Sequence, residues 1–501
     1  MGGAEVTIEA DGDVIRTTAN GDGRFVLDGL PQGKYPLSAA AQGYVAERYN
    51  EHGGFSTAIV VGQGLDSEHI VFRLHPAALI YGRVTDENGD AVRRAQVTLM
   101  VGEGGRRSFV QAQAQTNDLG EYRFAYLAEG KYHVVVQARP WYAENGFRYV
   151  PRAEQNDSGL RIHVGKPQQE ANPALDLVYP ITFYPGVTDE NAAGEIDLIP
   201  GEKEEANIAM QAVPSVHVRI TGLPTNEEQG VNINAQEKLF GSFDAYVNAA
   251  RMQIAPGEYE IAGLPPGNIR LTVNSGQGDQ AISETIKTNL SDGDRVDATE
   301  GEGTARVTGR LVLPDGTGRE GSVRLANDAG QVFSAKLQRD GTFSLAAVQE
   351  GIYKVIVDET NQRDYVLKIV ATGAKVSGHD LTIAGAGDVG LVVTLGEGDG
   401  TVTGMAKLDG KPEAGAMVLL VPESGEDIED EARIDQSDSD GTFTLADIMP
   451  GKYVLMAIED GWGLRWRDKE VLKPYREKGQ VLRIGANQKM DVSVEVQRKI
   501  K

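Results

Sequence analysis

A chain of 501 residues exceeds one ordinary hydrophobic core and, at roughly 100–200 residues per domain, predicts three to five domains. Its 49 Lys plus Arg against 73 Asp plus Glu leave a net charge of −24, which repels nucleic acid and anionic lipid surfaces. Cysteine is absent, excluding disulfides and thiolate metal sites, and no apolar run reaches the roughly 18 residues that a membrane span needs.

The start, MGGAEVTIEA, lacks the basic region and apolar stretch of a secretory signal; the signal was removed or never present. GGAEVTI reads as the second strand of a repeating unit, so residues 1–76 are expected to form a β-sandwich lacking its first strand. Next comes GRFVLDGLPQGKYPL (23–37), which recurs in register as GEYRFAYLAEGKYHV (120–134), GEYEIAGLPPGNIRL (257–271), GTFSLAAVQEGIYKV (341–355) and GTFTLADIMPGKYVL (441–455). Seven shared positions in five ungapped copies identify internal duplication.

The repeated positions are Gly23, Phe25, Gly33 and Tyr35; Gly120, Tyr122, Gly130 and Tyr132; Gly257, Tyr259, Gly267 and Ile269; Gly341, Phe343, Gly351 and Tyr353; and Gly441, Phe443, Gly451 and Tyr453. Phe443 and Leu445 share one strand face, as do Tyr453 and Leu455, while Thr442, Thr444 and Val454 face away. The alternation predicts a β-hairpin with one core face, and both glycines are expected at positive φ in its turns. The tyrosine is expected to bury its ring and bond a backbone group.

A second phrase, strand–turn–strand, precedes most copies: GRVTDENGDAVRRAQVTLM (82–100), TGRLVLPDGTGREGSVRLA (308–326) and TGMAKLDGKPEAGAMVLLV (403–421). A third follows them: VVGQGLDSEHIVFRL (60–74), LIPGEKEEANIAMQA (198–212), IVATGAKVSGHDLTI (369–383) and RIGANQKMDVSVEV (483–496). Together they give about seven short strands per unit and an all-β fold class: a tandem array of about five antiparallel seven-stranded β-sandwiches with little helix. In this order the phrases resemble the carboxypeptidase regulatory-like domain, a prealbumin-like (transthyretin-like), Ig-like sandwich. The resemblance runs along nearly the whole chain. It implies a tyrosine-corner role for the repeated tyrosines, absent at Ile269, and a likeness to secreted or envelope proteins of soil bacteria.

Boundaries follow the third phrases, giving 1–76, 77–213, 214–301, 302–397 and 398–501, with SDGDRVDATEGEGTA (291–305) and GEGDGT (396–401) expected as linkers. The second domain carries an insert at about 139–195. Helix is expected only within DKEVLKPYREKGQ (468–480).

Chemistry is sparse. The family name invites a zinc peptidase, but the seven histidines, His52, His69, His75, His133, His163, His217 and His379, include no His-x-x-Glu, His-x-His or His-Glu-x-x-His. There is no Gly-x-Ser-x-Gly, and GEGG (102–105) and GAGDVG (385–390) lack the helix and lysine of a phosphate cradle. DQSDSDG (435–441) makes Asp438 and Asp440 weak calcium candidates, although Gln436 stands where an EF-type loop needs its first carboxylate. Adhesin modules that the hairpin resembles place an isopeptide-forming Glu three residues after the tyrosine; here Ser38, Val135, Ile356 and Met456 stand there, so no cross-link is expected.

Aromatic residues remain as binding candidates: Trp141, Tyr142, Phe147, Tyr149 and Tyr184 in the insert, with Tyr179 and Phe183, and Trp462 and Trp466 in GWGLRW (461–466). Packing of the insert is one reading of these rings, and sugar stacking or protein docking is another. The sequence thus predicts a noncatalytic secreted or cell-envelope protein without cofactor, with a structural or adhesive role, a protein or glycan partner, and homo-assembly by strand addition at the first domain. The alternative is a carbohydrate-binding array using the aromatic surfaces.

Overall fold

The computed structural model describes all residues except 11, 66–68, 103–108, 144–150, 157–158, 165–171, 224–230, 241–242, 276–281, 299–303, 319–320, 328–331, 360–363, 425–430 and 501. Strands dominate and fall into five successive sets within residues 5–61, 78–214, 216–297, 305–397 and 400–497. The chain divides into two compact units: residues 1–77, 359–367 and 395–501 form one, and residues 78–358 and 368–394 the other.

The last set shows the common plan. An opening strand, Gly400–Leu408, lies between Thr442–Ile448, antiparallel, and the closing strand Lys489–Gln497, parallel. Facing them, Met417–Pro422 pairs with Gly451–Ile458, which pairs with Gln480–Ile484. Between the layers sit Val402, Phe443, Leu445, Tyr453, Leu455 and Val494, all at most 6% exposed. Each such side chain removed from water stabilises the fold by about 1.5–3 kcal/mol.

This arrangement corrects the hairpin expectation. Thr442–Ile448 and Gly451–Ile458 are consecutive, but they pair in opposite layers, so the repeated phrase is a corner over the core. Its inward residues still share one core because they reach it from both sides. The glycines also divide their roles. Gly441 has φ +80° and carries the turn, as do Gly23, Gly120, Gly257 and Gly341. At the second position Gly130, Gly267 and Gly351 are at positive φ, 131° to 157°, whereas Gly33 and Gly451 are not; at Gly451 the absent Cβ leaves room for the Tyr453 ring, whose Cε2 would lie 3.1 Å away. A left-handed residue at the corner was not anticipated: Gly29, Tyr126, Gly263 and Asp447, each seventh in its phrase, have φ between 53° and 78°.

The tyrosine hydroxyl closes the corner. Tyr35, Tyr132, Tyr353 and Tyr453 each donate to the carbonyl four residues earlier, on Pro31, Ala128, Gln349 and Met449, at 2.8–3.0 Å. Burial pushes the Tyr353 and Tyr453 hydroxyls up to about 12. Ile269 stands in the same place, buried but without this bond to make.

Each opening strand outside the first set has a parallel neighbour: Lys203–Glu205 and Ile208–Ala209 beside Ala78–Thr85, Asp294–Asp297 beside Val216–Thr221, and Gly387–Glu397 beside Ala305–Val312. The sheets are therefore mixed, because the closing strand returns from the opposite layer by a crossover and runs with the opening strand. Two expected linkers are strand: Asp294–Asp297 lies within 291–305, and GEGDGT leaves only residues 398–399 between strands. In the insert, Pro151–Asn156 and Gly159–Val164 form a hairpin, while Thr182–Phe183 and Ile196–Leu198 complete a sheet beside Gly130–Gln137.

The α-helix Lys469–Arg476 begins at Asp468, whose carboxylate accepts from the Glu470 amide, and buries Leu472 and Tyr475. These two pack with Met417, Leu419, Met456 and Trp466 in a small second core outside the sandwich.

Candidate functional site

The first strand set departs from the plan where the sequence lacks an opening strand. Glu5–Ala10 pairs with Asp13–Thr18 and Leu37–Ala40, and Gly33–Tyr35 with Ile59–Val61. Residues 24–30 and 69–75, which correspond to the two neighbours of every other opening strand, belong to no ladder. Their side chains nevertheless alternate. Phe25, Leu27, Leu30, Ile70, Phe72 and Leu74 are half-buried against Val6, Ile8, Tyr35 and Leu37, whereas Val26 and Val71 are 64% exposed. In the last set Phe443, Leu445 and Ile448, matching Phe25, Leu27 and Leu30, are at most 1% exposed.

In the unit that holds them both, the first and last sets are joined by a polar clasp. Lys34 Nζ donates to Asp438 Oδ2 at 2.5 Å, and the Ala58 amide donates to Asp438 Oδ1 at 3.1 Å. Gln436 donates from Nε2 to the Asn50 carbonyl (2.6 Å) and to Thr57 Oγ1 (2.8 Å). Val60 donates to Ser439 Oγ at 2.8 Å. Burial raises the Asp438 carboxyl above its ordinary value, opposed by Lys34 and the Ala58 amide.

The clasp corrects two site expectations. Asp438 is bonded to an ammonium and an amide, and Asp440 accepts from the Thr442 amide and hydroxyl, so the loop's oxygens serve the fold. Among the described residues no three His, Cys, Asp or Glu gather as metal ligands would. The 461–466 segment offers no solvent-facing platform either. Trp462 stacks on His52 (5.7 Å) and Phe55 (5.5 Å) and donates from Nε1 to the Gly415 carbonyl, while Trp466 is 9% exposed in the second core.

In the other unit, Trp141 is 87% exposed, with the Tyr142 ring edge-on 5.7 Å away. Tyr142 donates to Glu87 Oε1 and Tyr179 to Glu87 Oε2; burial, then the Glu87 carboxylate, pushes the Tyr142 hydroxyl up to about 12. Tyr179 and Phe183 are core residues of two different clusters, and Tyr184 packs against the one that holds Tyr179. Phe147 and Tyr149 lie outside the described residues.

That unit also has a joint between its second and third sets. His217 contacts Asp176 Oδ2 through Nε2 (2.7 Å) and Glu260 Oε1 through Nδ1 (3.1 Å). Only the imidazolium has two N–H groups to donate to both. Burial lowers the His217 pKa, but the two carboxylates outweigh it and the net shift is upward. A second contact joins the same two sets: Glu190 accepts from the Phe240 amide at 2.6 Å, and Phe240 packs on His133 and Phe183. Burial, then the Glu190 charge, pushes the Glu237 carboxyl up to about 7. Sequence spacing did not bring these groups together, because they lie 41 to 43 residues apart or more.

Residues 80–165 match the family model of the carboxypeptidase regulatory-like domain, so the second strand set contains such a domain. No curated protein matches the chain. Among solved structures, the chain is similar to a streptococcal ancillary pilin at 13% identity, covering 56% of this chain and 98% of that one with a TM-score of 0.22. It is similar to the major pilin subunit of Bacillus cereus at 12% identity, covering 84% and 99% with a TM-score of 0.15. Two B repeat units of the collagen binding protein of Staphylococcus aureus match at 12% identity, covering 77% and 93% with a TM-score of 0.15.

Proposed function

We propose that the chain is a noncatalytic structural and adhesive protein of the cell envelope or the extracellular space, built as five sandwich domains divided near residues 76, 213, 301 and 397. One observation carries this reading. Among the described residues, the polar convergences Lys34–Asp438 with Gln436 and Asp176–His217–Glu260 tie one strand set to another. A catalytic site would gather perturbed groups around a substrate-sized space.

Its partners in this reading are proteins, met by backbone pairing at the first set, with self-assembly one form of such pairing. The glycan alternative loses Trp462 and Trp466 to internal packing. Two measurements test the reading: antibody labelling of intact cells of the source organism, and sedimentation of the purified chain across a concentration series. Surface label with assembly or partner binding supports it. A chain confined to the cytosol overturns the location, and turnover of a substrate by the purified chain overturns the noncatalytic role.

A further inference from the structure

We propose that the cleft between the second and third strand sets binds a short acidic peptide segment of a partner protein, its carboxylate held by Arg94 and Arg139 and its backbone by a row of glutamine amides. The inference rests on the protein-partner reading above and adds a second contact surface to it.

The cleft has a volume of about 530 Å³, inside the range of roughly 300–1,000 Å³ usual for ligand sites, and it lies within one compact unit. One wall is the outer face of the second set, where Gln137, Gln96 and Gln115 stand in a single row across three strands. The other is the strand Phe243–Val247 of the third set, with Pro265. Gln137 bridges the walls, donating from Nε2 to the Tyr246 carbonyl at 3.0 Å, whereas Gln96 and Gln115 make no side-chain hydrogen bond among the described residues. In the last set the corresponding row is Ile458, Met417 and Gln436, and Ile458 and Met417 are wholly buried in the second core. A face that is apolar and covered there is amide-lined and open here.

Arg94 is the sharper sign. Three sets share one pair of backbone bonds at this point. In the first, the Gly3 amide donates to the Ala19 carbonyl and the Ala19 amide to the Ala4 carbonyl; in the last, Gly415 donates to Ser437 and Ser437 to Ala416; in the second, Arg94 donates to Thr116 and Thr116 to Ala95. All three leading residues are left-handed, with φ of +84°, +77° and +56°. Two of them are glycine, which takes this conformation without steric cost, whereas a Cβ is disfavoured there. The second set nonetheless carries an arginine, and the arginine lines the cleft.

Charge defines the occupant. Because Gln96 and Gln137 pair antiparallel, Arg94 and Arg139, each two residues outward, stand at the same end of the row. Neither guanidinium has a carboxylate partner among the described residues, and Asp244, the one acid among the described lining residues, faces Arg270 at 3.5 Å. On a chain of net charge −24, two unpaired guanidiniums at one end of a cleft suit an anion brought from outside, and a carboxylate accepts from both. Beyond them each glutamine amide offers a donor and an acceptor, the complement of a peptide unit. Leu177, Val247 and Pro265 give the cleft an apolar border. The side chains of a peptide cover such a border and the hydroxyls of a sugar do not, which favours the peptide.

The test uses the full chain and two fluorescent peptides, GVDVEG and its amide counterpart GVNVQG, followed by anisotropy. We expect saturable binding of the acidic peptide that weakens as salt rises, with the amide peptide bound roughly tenfold or more weakly, the order expected for loss of charge-assisted hydrogen bonds. Arg94→Gly should weaken the acidic peptide by a similar factor and leave the thermal midpoint unchanged or raised, because it restores the glycine of the sister sets; an arginine kept only for the fold would lower it. Arg139→Gln, which leaves the backbone at Arg94 untouched, should weaken binding in the same way. Gln96→Leu should weaken both peptides alike. Equal binding of the two peptides, or acidic-peptide affinity unchanged in both arginine variants, would overturn the proposal. Tighter binding of tetragalacturonate, lost with Arg94→Gly, would overturn the peptide in favour of an acidic glycan. A chain that labels the cell surface but binds neither peptide loses the cleft and keeps the envelope reading; one that binds the acidic peptide but is confined to the cytosol keeps the cleft and loses that reading.

Discussion

The hydroxyl of Tyr453 donates to the Met449 carbonyl at 2.8 Å, so Tyr453→Phe keeps the ring and removes only the tie across the corner. The expected loss is about 1 kcal/mol, read by denaturant unfolding of the unit, the net worth of a buried hydrogen bond. Gly404→Ala should cost more, about 1–3 kcal/mol, because its Cβ meets the Val492 carbonyl oxygen, a backbone atom that cannot rotate away. A Gly404→Ala protein as stable as the parent would contradict the packing given for the opening strand. These positions were legible as sequence because they repeat. The reason for Gly451 was not, since a ring standing over a backbone and a turn at positive φ select the same residue.

At the scale of elements, the His217 joint makes a pH prediction. The folded pKa of His217 is raised, so its contribution is fully present below the ordinary histidine value of 6.5 and is lost as pH rises through the folded value. Glu237 acts with the same sign. With its carboxyl at about 7 against an ordinary 4.5, the folded chain binds more protons than the unfolded one between those values, and stability falls as pH rises across them. Amide protection along Val216–Thr221 and Val231–Leu239 should therefore be greater at pH 5 than at pH 8. His217→Gln should remove the histidine part of that difference. Lys34→Met tests the other clasp: it leaves Asp438 without its cation at 13% side-chain exposure, and a loss of about 1–2 kcal/mol is expected, discounted because Lys34 is 45% exposed. Neither joint could be read from the sequence. Lys34 and Asp438 are 404 residues apart, and nothing in their local patterns distinguishes them from surface charges. Trp462 misled for a related reason, since an aromatic in a Gly-rich loop reads as exposed until the His52 and Phe55 rings beneath it are seen.

For the whole molecule, the repeated phrase announced five successive strand sets, because alternation of period two and turn glycines are local properties that tertiary packing does not alter. Which layer each strand joins was not local, and there the hairpin reading failed. The absent opening strand of the first set was legible because four fuller copies show what belongs between residues 24–30 and 70–74. That absence separates the first set from its sisters and is the centre of this account. Amide exchange on the free, dilute chain tests it most directly. Residues 24–30 and 70–74 should exchange far faster than Thr442–Ile448 and Lys489–Gln497, their laddered counterparts in the last set. Equal protection in the two pairs of segments would mean that the place is already filled, and would contradict the account.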